Sequence, residues 1–180
     1  MISSESSLVD VAFTVCTALD RAGILAVLVG GSAATYYAPQ KYQSRDIDFV
    51  IKSEKQQSRG STALASLGFS RDGETYIHPE TRYTLDFPAG PLRIGSDAVS
   101  EHEAVRRDGE VLYVLSRTDC VRDRLAAFYF WDDGQSLLTA LDVARSGEID
   151  VASIEQWSDR EHQQEKYQRF VAMLSRDKGA

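Results

Sequence analysis

Apolar residues recur at helical spacing between Leu8 and Ala22, at Val11, Val15, Ala18, Leu19 and Ala22, and Gly23 stands where such a helix would stop. The pattern then changes. Ile24 to Val29 is nearly continuous and β-branched, as a buried strand is, and Gly30-Gly31-Ser32 closes it with a tight turn. Ser32 is placed to cap a short helix over Ala33 to Tyr37, which Pro39 ends. The segment Asp46 to Ile51 alternates, with Ile47, Phe49 and Ile51 on one face and Asp46 and Asp48 on the other. A helix is predicted over 55–67, ahead of Gly68. Tyr76 to His78 and Arg82 to Phe87 read as a hairpin around Pro79-Glu80, the second arm setting Tyr83, Leu85 and Phe87 against Arg82, Thr84 and Asp86. A second hairpin joins Ala104 to Arg107 and Val111 to Leu115 through Asp108-Gly109.

From Ser116 onward the periodicity is helical. Either Ser116 or Thr118 caps a helix that turns Val121, Leu125 and Phe128 inward; Asp132-Asp133-Gly134 breaks it, and Leu137, Leu138, Leu141 and Ala144 carry a second helix to Gly147. Asp150 to Trp157 and His162 to Leu174 predict two more. The expected architecture is α/β (α+β): a mixed-sheet core over residues 1–115, then a C-terminal helical region over 116–180 packed on it, with the active cleft between them.

Composition narrows the class. At 180 residues and 43% hydrophobic, the chain supports one substantial core and has no internal repeat. The longest apolar stretch, Ile24 to Gly31, is far short of the ~20 residues of a membrane helix. Met1 to Ser7 lacks the basic start and apolar middle of a secretion signal, so a cytoplasmic location is expected. Cys16 and Cys120 lie far apart within apolar helical patterns and read as buried free thiols. A net charge of −7 disfavours a long nucleic-acid footprint.

The candidate chemistry lies in the acids and the glycine turn. Asp46 and Asp48, two apart on a strand, share a face, and Asp86 joins them if its strand is a neighbour. Three close carboxylates repel one another unless a hard cation such as Mg²⁺ neutralises them. Gly30-Gly31-Ser32 adds a backbone that phosphate can approach and a hydroxyl donor. In order, Val29-Gly30-Gly31-Ser32, thirteen intervening residues, Asp46-Ile47-Asp48-Phe49 and Leu85-Asp86-Phe87 resemble the motif series of the DNA polymerase β-like nucleotidyltransferase superfamily. More loosely, Thr118 to Leu125 and Trp131 to Gln135 look like the helical region of its small bacterial AbiEii-like group, some of which are toxins of toxin–antitoxin pairs. The chain carries Arg124 and Asp132-Asp133-Gly134-Gln135 where the better-known toxin branch has a Lys and an Arg-Asp-x-x-Asp segment, so that branch's toxicity and substrate do not transfer.

The resemblance implies metal-dependent transfer of a nucleoside monophosphate from an NTP to an acceptor hydroxyl. Asp46, Asp48 and Asp86 would be the catalytic and metal-binding residues, holding two Mg²⁺ ions or Mn²⁺ in their place. Gly30, Gly31, Ser32, Arg45 and Arg124 would bind the nucleotide. The acceptor is open among an RNA or tRNA end, a protein side chain and a small molecule such as an aminoglycoside, and a cognate protein partner is compatible with the resemblance. The rival reading is a non-catalytic nucleotide-sensing or partner-binding module on the same fold.

Each residue also has a plainer reading. Gly-Gly-Ser after a strand is by itself a turn, Asp86 has Asp97 as a competitor, and Arg45 is as well placed to pair with the aspartates as with phosphate. Among Arg117, Arg122 and Arg124, helical spacing sends Arg122 and Arg124 to different faces, and Arg124 is the one assigned to the cleft. His78 and His102 read as surface or turn residues, Phe128 to Trp131 as interhelical packing, and Arg106-Arg107 as a solvated pair.

Overall fold

The computed structural model describes residues 2–52 and 57–176, with the side chains of Gln57 and Ser58 outside the description. In chain order the elements are α1 (Leu8–Arg21), β1 (Ala26–Leu28), α2 (Gly30–Tyr37), β2 (Asp46–Ile51), α3 (Gln57–Ser66), β3 (Ser70–Asp72), β4 (Thr75–Ile77), β5 (Thr84–Asp86), β6 (Arg93–Ile94), β7 (Asp97–Ala98), β8 (Glu103–Arg107), β9 (Glu110–Val114), α4 (Arg117–Trp131), α5 (Gly134–Arg145), α6 (Val151–Arg160) and α7 (Gln164–Arg176). The helix predicted over 55–67 is seen from Gln57, its first two positions lying outside the described residues.

Seven strands form one mixed sheet in the order β3-β4-β5-β2-β1-β9-β8, and β6 and β7 form a separate ribbon. β1 runs antiparallel to β2 and parallel to β9, while β2 runs parallel to β5. β1 is buried on both faces, which explains its unbroken apolar run. α1 packs over β1 and β9, α2 lies between β2 and α4, and α5 joins α4 to α7. The fold is the mixed α/β arrangement expected, with α4 and α5 packed on α2 and α6 and α7 packed on them in turn.

Local chemistry accounts for most boundaries. Ser7 and Asp10 form a reciprocal capping box on α1. Asp108 and Gly109, at φ 47° and 80°, provide the two left-handed positions that a two-residue hairpin needs between β8 and β9. Ser116, not Thr118, caps α4 by accepting from the Asp119 amide at 3.0 Å. Asp132 leaves that helix in the left-handed conformation, and Asp133 caps α5.

Several elements depart from the predicted ones. β3 was not expected, because Ser70-Arg71-Asp72 has no apolar residue; it pairs with β4 across a turn at Gly73, whose φ is 62°. The hairpin from Tyr76 to Phe87 exists as β4 and β5, with Tyr76 opposite Leu85 and a longer connection than Pro79-Glu80 alone. α2 starts at Gly30, with Val29 in extended conformation as its N-cap, so Ser32 lies inside the first turn and does not cap it. Both cysteines are buried and free.

Candidate active site

The parallel pairing of β2 with β5 sets Asp46 opposite Thr84, Ile47 opposite Leu85 and Asp48 opposite Asp86. Ile47 and Leu85 are wholly buried, which turns the odd-numbered side chains inward and commits all three aspartates to the opposite face. Asp48 and Asp86 therefore stand side by side on adjacent strands, and Asp46 follows one pleat along, its Oδ1 accepting from the Thr84 hydroxyl at 2.8 Å.

These carboxylates feel one another. Burial, then the charges of Asp86 and Asp46, push the Asp48 carboxyl up to about 6, with Arg124 opposing the shift. Burial and the charge of Asp46 also raise Asp86. The expected convergence of three carboxylates on one point is not met: among the described residues no three His, Cys, Asp or Glu side chains are gathered closely enough to hold a metal ion. Like charges keep apart, and Asp46 has taken the Thr84 hydroxyl as its partner. The set nonetheless suits a hard divalent cation, being all oxygen donors whose mutual repulsion such an ion would relieve.

Opposite the acids lies the start of α2. Gly30 has φ 63°, a backbone state that favours glycine, and a Cβ built on it would lie 2.9 Å from Asp48 Oδ2 and 3.7 Å from Arg124 Nη2. No side chain caps this helix, so its first amides are open to an anion. The Ser32 hydroxyl is not so placed: it is fully buried, donates to the Val29 carbonyl at 2.7 Å and accepts the Asp48 amide at 3.1 Å. Ser32 thus fastens β2 to α2 and holds the Asp48 backbone beside the glycine turn.

α4 supplies the far wall. Arg124 reaches Gly30 while its Nη2 and Nε donate to Asp123 Oδ2 at 2.7 and 3.0 Å. Arg117 instead covers the Tyr37 ring, and Arg122 pairs with Asp119 at 2.8 Å and Asp97 at 2.6 Å beneath Trp157. Asp97, also bound by Arg160 at 2.7 Å, is engaged in that network and does not join the acid face. Arg45 is exposed at the entry to β2, with no ion pair among the described residues. A cavity of about 540 Å³ brings together Gly30, Gly31, Tyr42, Ser44, Asp48, Asp123 and Arg124, bordered by the Pro88–Arg93 segment. A larger cavity of about 1020 Å³, beside Thr118 and Gly147, has neither the glycine turn nor the aspartate pair.

Other residues need correction. Phe128 and Tyr129 are buried as expected, but Phe130 is 44% and Trp131 77% exposed, because a helix turns consecutive residues to different sides. Arg107 is not simply solvated: it pairs with Asp10 at 2.9 Å and lies over the Phe13 ring. His78 is a turn residue, accepting the Glu80 amide at 3.0 Å. Tyr42, Ser44 and Asp123 line the cleft without having been singled out by sequence; only their closeness to the Asp46 and Arg124 motifs marks them.

No protein-family model matches the chain, and no curated protein matches it in sequence. Among solved structures, an antigenic nucleotidyltransferase-like protein from Paracoccidioides brasiliensis aligns over 93% of this chain and 95% of its own, with TM-score 0.56 and 14% identity. The shared fold is nucleotidyltransferase-like. The antibiotic-resistance factor ANT(2'')-Ia, solved in solution, aligns over 83% of this chain and 92% of its own, with TM-score 0.46 and 14% identity. In this chain the β1–α2 turn and Asp48 of β2 border one cleft, and Asp86 is the strand neighbour of Asp48 on β5. The AbiEii-like subgroup has no counterpart among these matches.

Proposed function

We propose that the protein transfers a nucleoside monophosphate from an NTP to an acceptor hydroxyl. The observation that carries this reading is Asp48, paired in register with Asp86 on the adjacent parallel strand and itself facing an uncapped glycine turn and a guanidinium across one cleft. The triphosphate lies along Gly30 and Gly31, where open amides and Arg124 offset its charge. Asp46, Asp48 and Asp86 would hold Mg²⁺ or Mn²⁺ if the ion, by offsetting their mutual repulsion, drew the three together, and it would then supply charge neutralisation at the transferring phosphate. Asp86, on the open side of the pair and with its proton affinity raised by burial and by Asp46, takes the acceptor hydroxyl's proton. The new bond joins that oxygen to the α-phosphorus, and pyrophosphate departs on the side of the glycine turn.

The test is transfer of label from each of four α-labelled NTPs, with Mg²⁺ or Mn²⁺, to cell RNA, protein and small hydroxylated acceptors. Labelled product from the wild type, lost in Asp48→Ala with the fold retained, is the expected result; label transfer by Asp48→Ala overturns the mechanism. Thermal shift separates the enzyme from a partner-binding module on the same fold. NTP with metal at about 100 times its Kd should add ~2.7 kcal/mol to the stability of the enzyme. A module would gain only from its protein partner.

A further inference from the structure

We infer that Tyr42 and Ser44, two hydroxyls on the loop entering β2, grip the departing pyrophosphate end of the nucleotide; this rests on the transfer reaction proposed above and names the groups that hold its leaving side. The two glycines of the turn face different chemistry. The Gly30 side meets Asp48 and Arg124, whereas a Cβ built on Gly31 would lie 2.9 Å from the Tyr42 hydroxyl and 3.0 Å from Ser44 Oγ. Both hydroxyls line the same cavity as the turn and Asp48.

Their freedom distinguishes them from their neighbours. Ser32 is spent on Val29 and Asp48, and Thr35 donates to the Gly31 carbonyl at 3.0 Å while accepting the Ser44 amide at 2.8 Å. Among the described residues, neither the Tyr42 nor the Ser44 hydroxyl has a hydrogen-bond partner. The loop that carries them is nonetheless fixed. The Tyr42 amide donates to the Ala38 carbonyl at 3.0 Å, and Thr35 ties Ser44 to the very turn that the hydroxyls face. Donors held in place before a ligand arrives lose little freedom when they bind it.

The polarity of the cleft sets which end of the nucleotide they meet. The reacting phosphorus belongs beside the carboxylates, on the Gly30 side, so the phosphates beyond it run toward Gly31. Neutral O–H donors suit that end, because Arg124 already supplies charge and each phosphate oxygen accepts several hydrogen bonds. The two hydroxyls donate without giving up a proton, and no covalent bond is made to them.

The test is isothermal titration of the full chain with inorganic pyrophosphate in Mg²⁺, and separately with AMP, for the wild type, Tyr42→Phe, Ser44→Ala and the double variant. Circular dichroism checks that each is folded. Each single variant should weaken pyrophosphate about tenfold to a hundredfold, as loss of one hydrogen bond to a charged ligand does, and leave AMP unchanged. In steady-state assays KM for NTP should rise by a similar factor with kcat within about twofold. Pyrophosphate binding unaltered in both variants, while the wild type binds it, overturns the inference and leaves the transfer reaction standing. Equal losses for pyrophosphate and AMP would move the hydroxyls to the wrong end of the nucleotide and overturn it too. A folded wild type that binds neither pyrophosphate nor NTP removes the underlying reading itself.

Discussion

Replacing Asp48 by Asn should make the protein more stable and inactive at once. Folding carries this carboxyl from an ordinary 3.8 up to about 6, through burial and the charges of Asp86 and Asp46. The native state therefore binds its proton more tightly than the unfolded chain does, and the ionised form costs stability at neutral pH. At ~1.36 kcal/mol per pH unit the cost is about 3 kcal/mol, absent below the unfolded value and complete above the folded one. Asn keeps the shape and removes the charge. No side-chain hydrogen bond of Asp48 is lost with it among the described residues, since the bond from Ser32 goes to the backbone amide. In EDTA at pH 7.5, Asp48→Asn should melt about 5–10 °C above the wild type by circular dichroism. The gap should close as pH falls from 6 toward 4, and Mg²⁺ should narrow it from the other side by stabilising the wild type alone. A variant that melts with or below the wild type at pH 7.5 in EDTA would show that the acid face is not under electrostatic stress.

Ser32→Ala removes the buried bridge between the Val29 carbonyl and the Asp48 amide, and should lower unfolding free energy by about 1–3 kcal/mol in a urea titration; an unchanged midpoint would deny the bridge a role. Asp97→Asn leaves the buried Arg122 with Asp119 as its remaining acid and releases Arg160, so about 2 kcal/mol should be lost, read from the same titration, and a loss below about 0.5 kcal/mol would mark the network as inert. Trp131→Ala, at a site 77% exposed, should shift the melting temperature by no more than about 2 °C, and a fall beyond 5 °C would show packing that the structure lacks.

What the sequence discloses here is chiefly what local chemistry decides. Alternation across Asp46 to Ile51 and Arg82 to Phe87 was enough to send Asp46, Asp48 and Asp86 to the polar side, because burial of Ile47 and Leu85 leaves them no other. Asp108-Gly109 and Asp132 were legible for the same reason, since their left-handed backbone states favour Asp, Asn and Gly, and Asp133 was legible as a helix cap. The parallel register that sets Asp48 against Asp86 is a long-range fact with no local signal. Ser32 was misplaced because Gly30, at positive φ, lets the chain enter the helix two residues sooner than a capping serine would require. β3 went unseen because three polar residues become a strand only once β4 is beside them.

The two rims of the seven-stranded sheet are poor templates for further growth. On one side stand only Ser70, Arg71 and Asp72; on the other, β8 presents the exposed side chains of Glu103 and Arg106. An incoming strand from another molecule would find a short ledge at the first and would have to strip water from charged side chains at the second. Concentrated solutions of the folded chain are thereby guarded against fibre-like stacking through its own main chain, whatever acceptor the cleft receives.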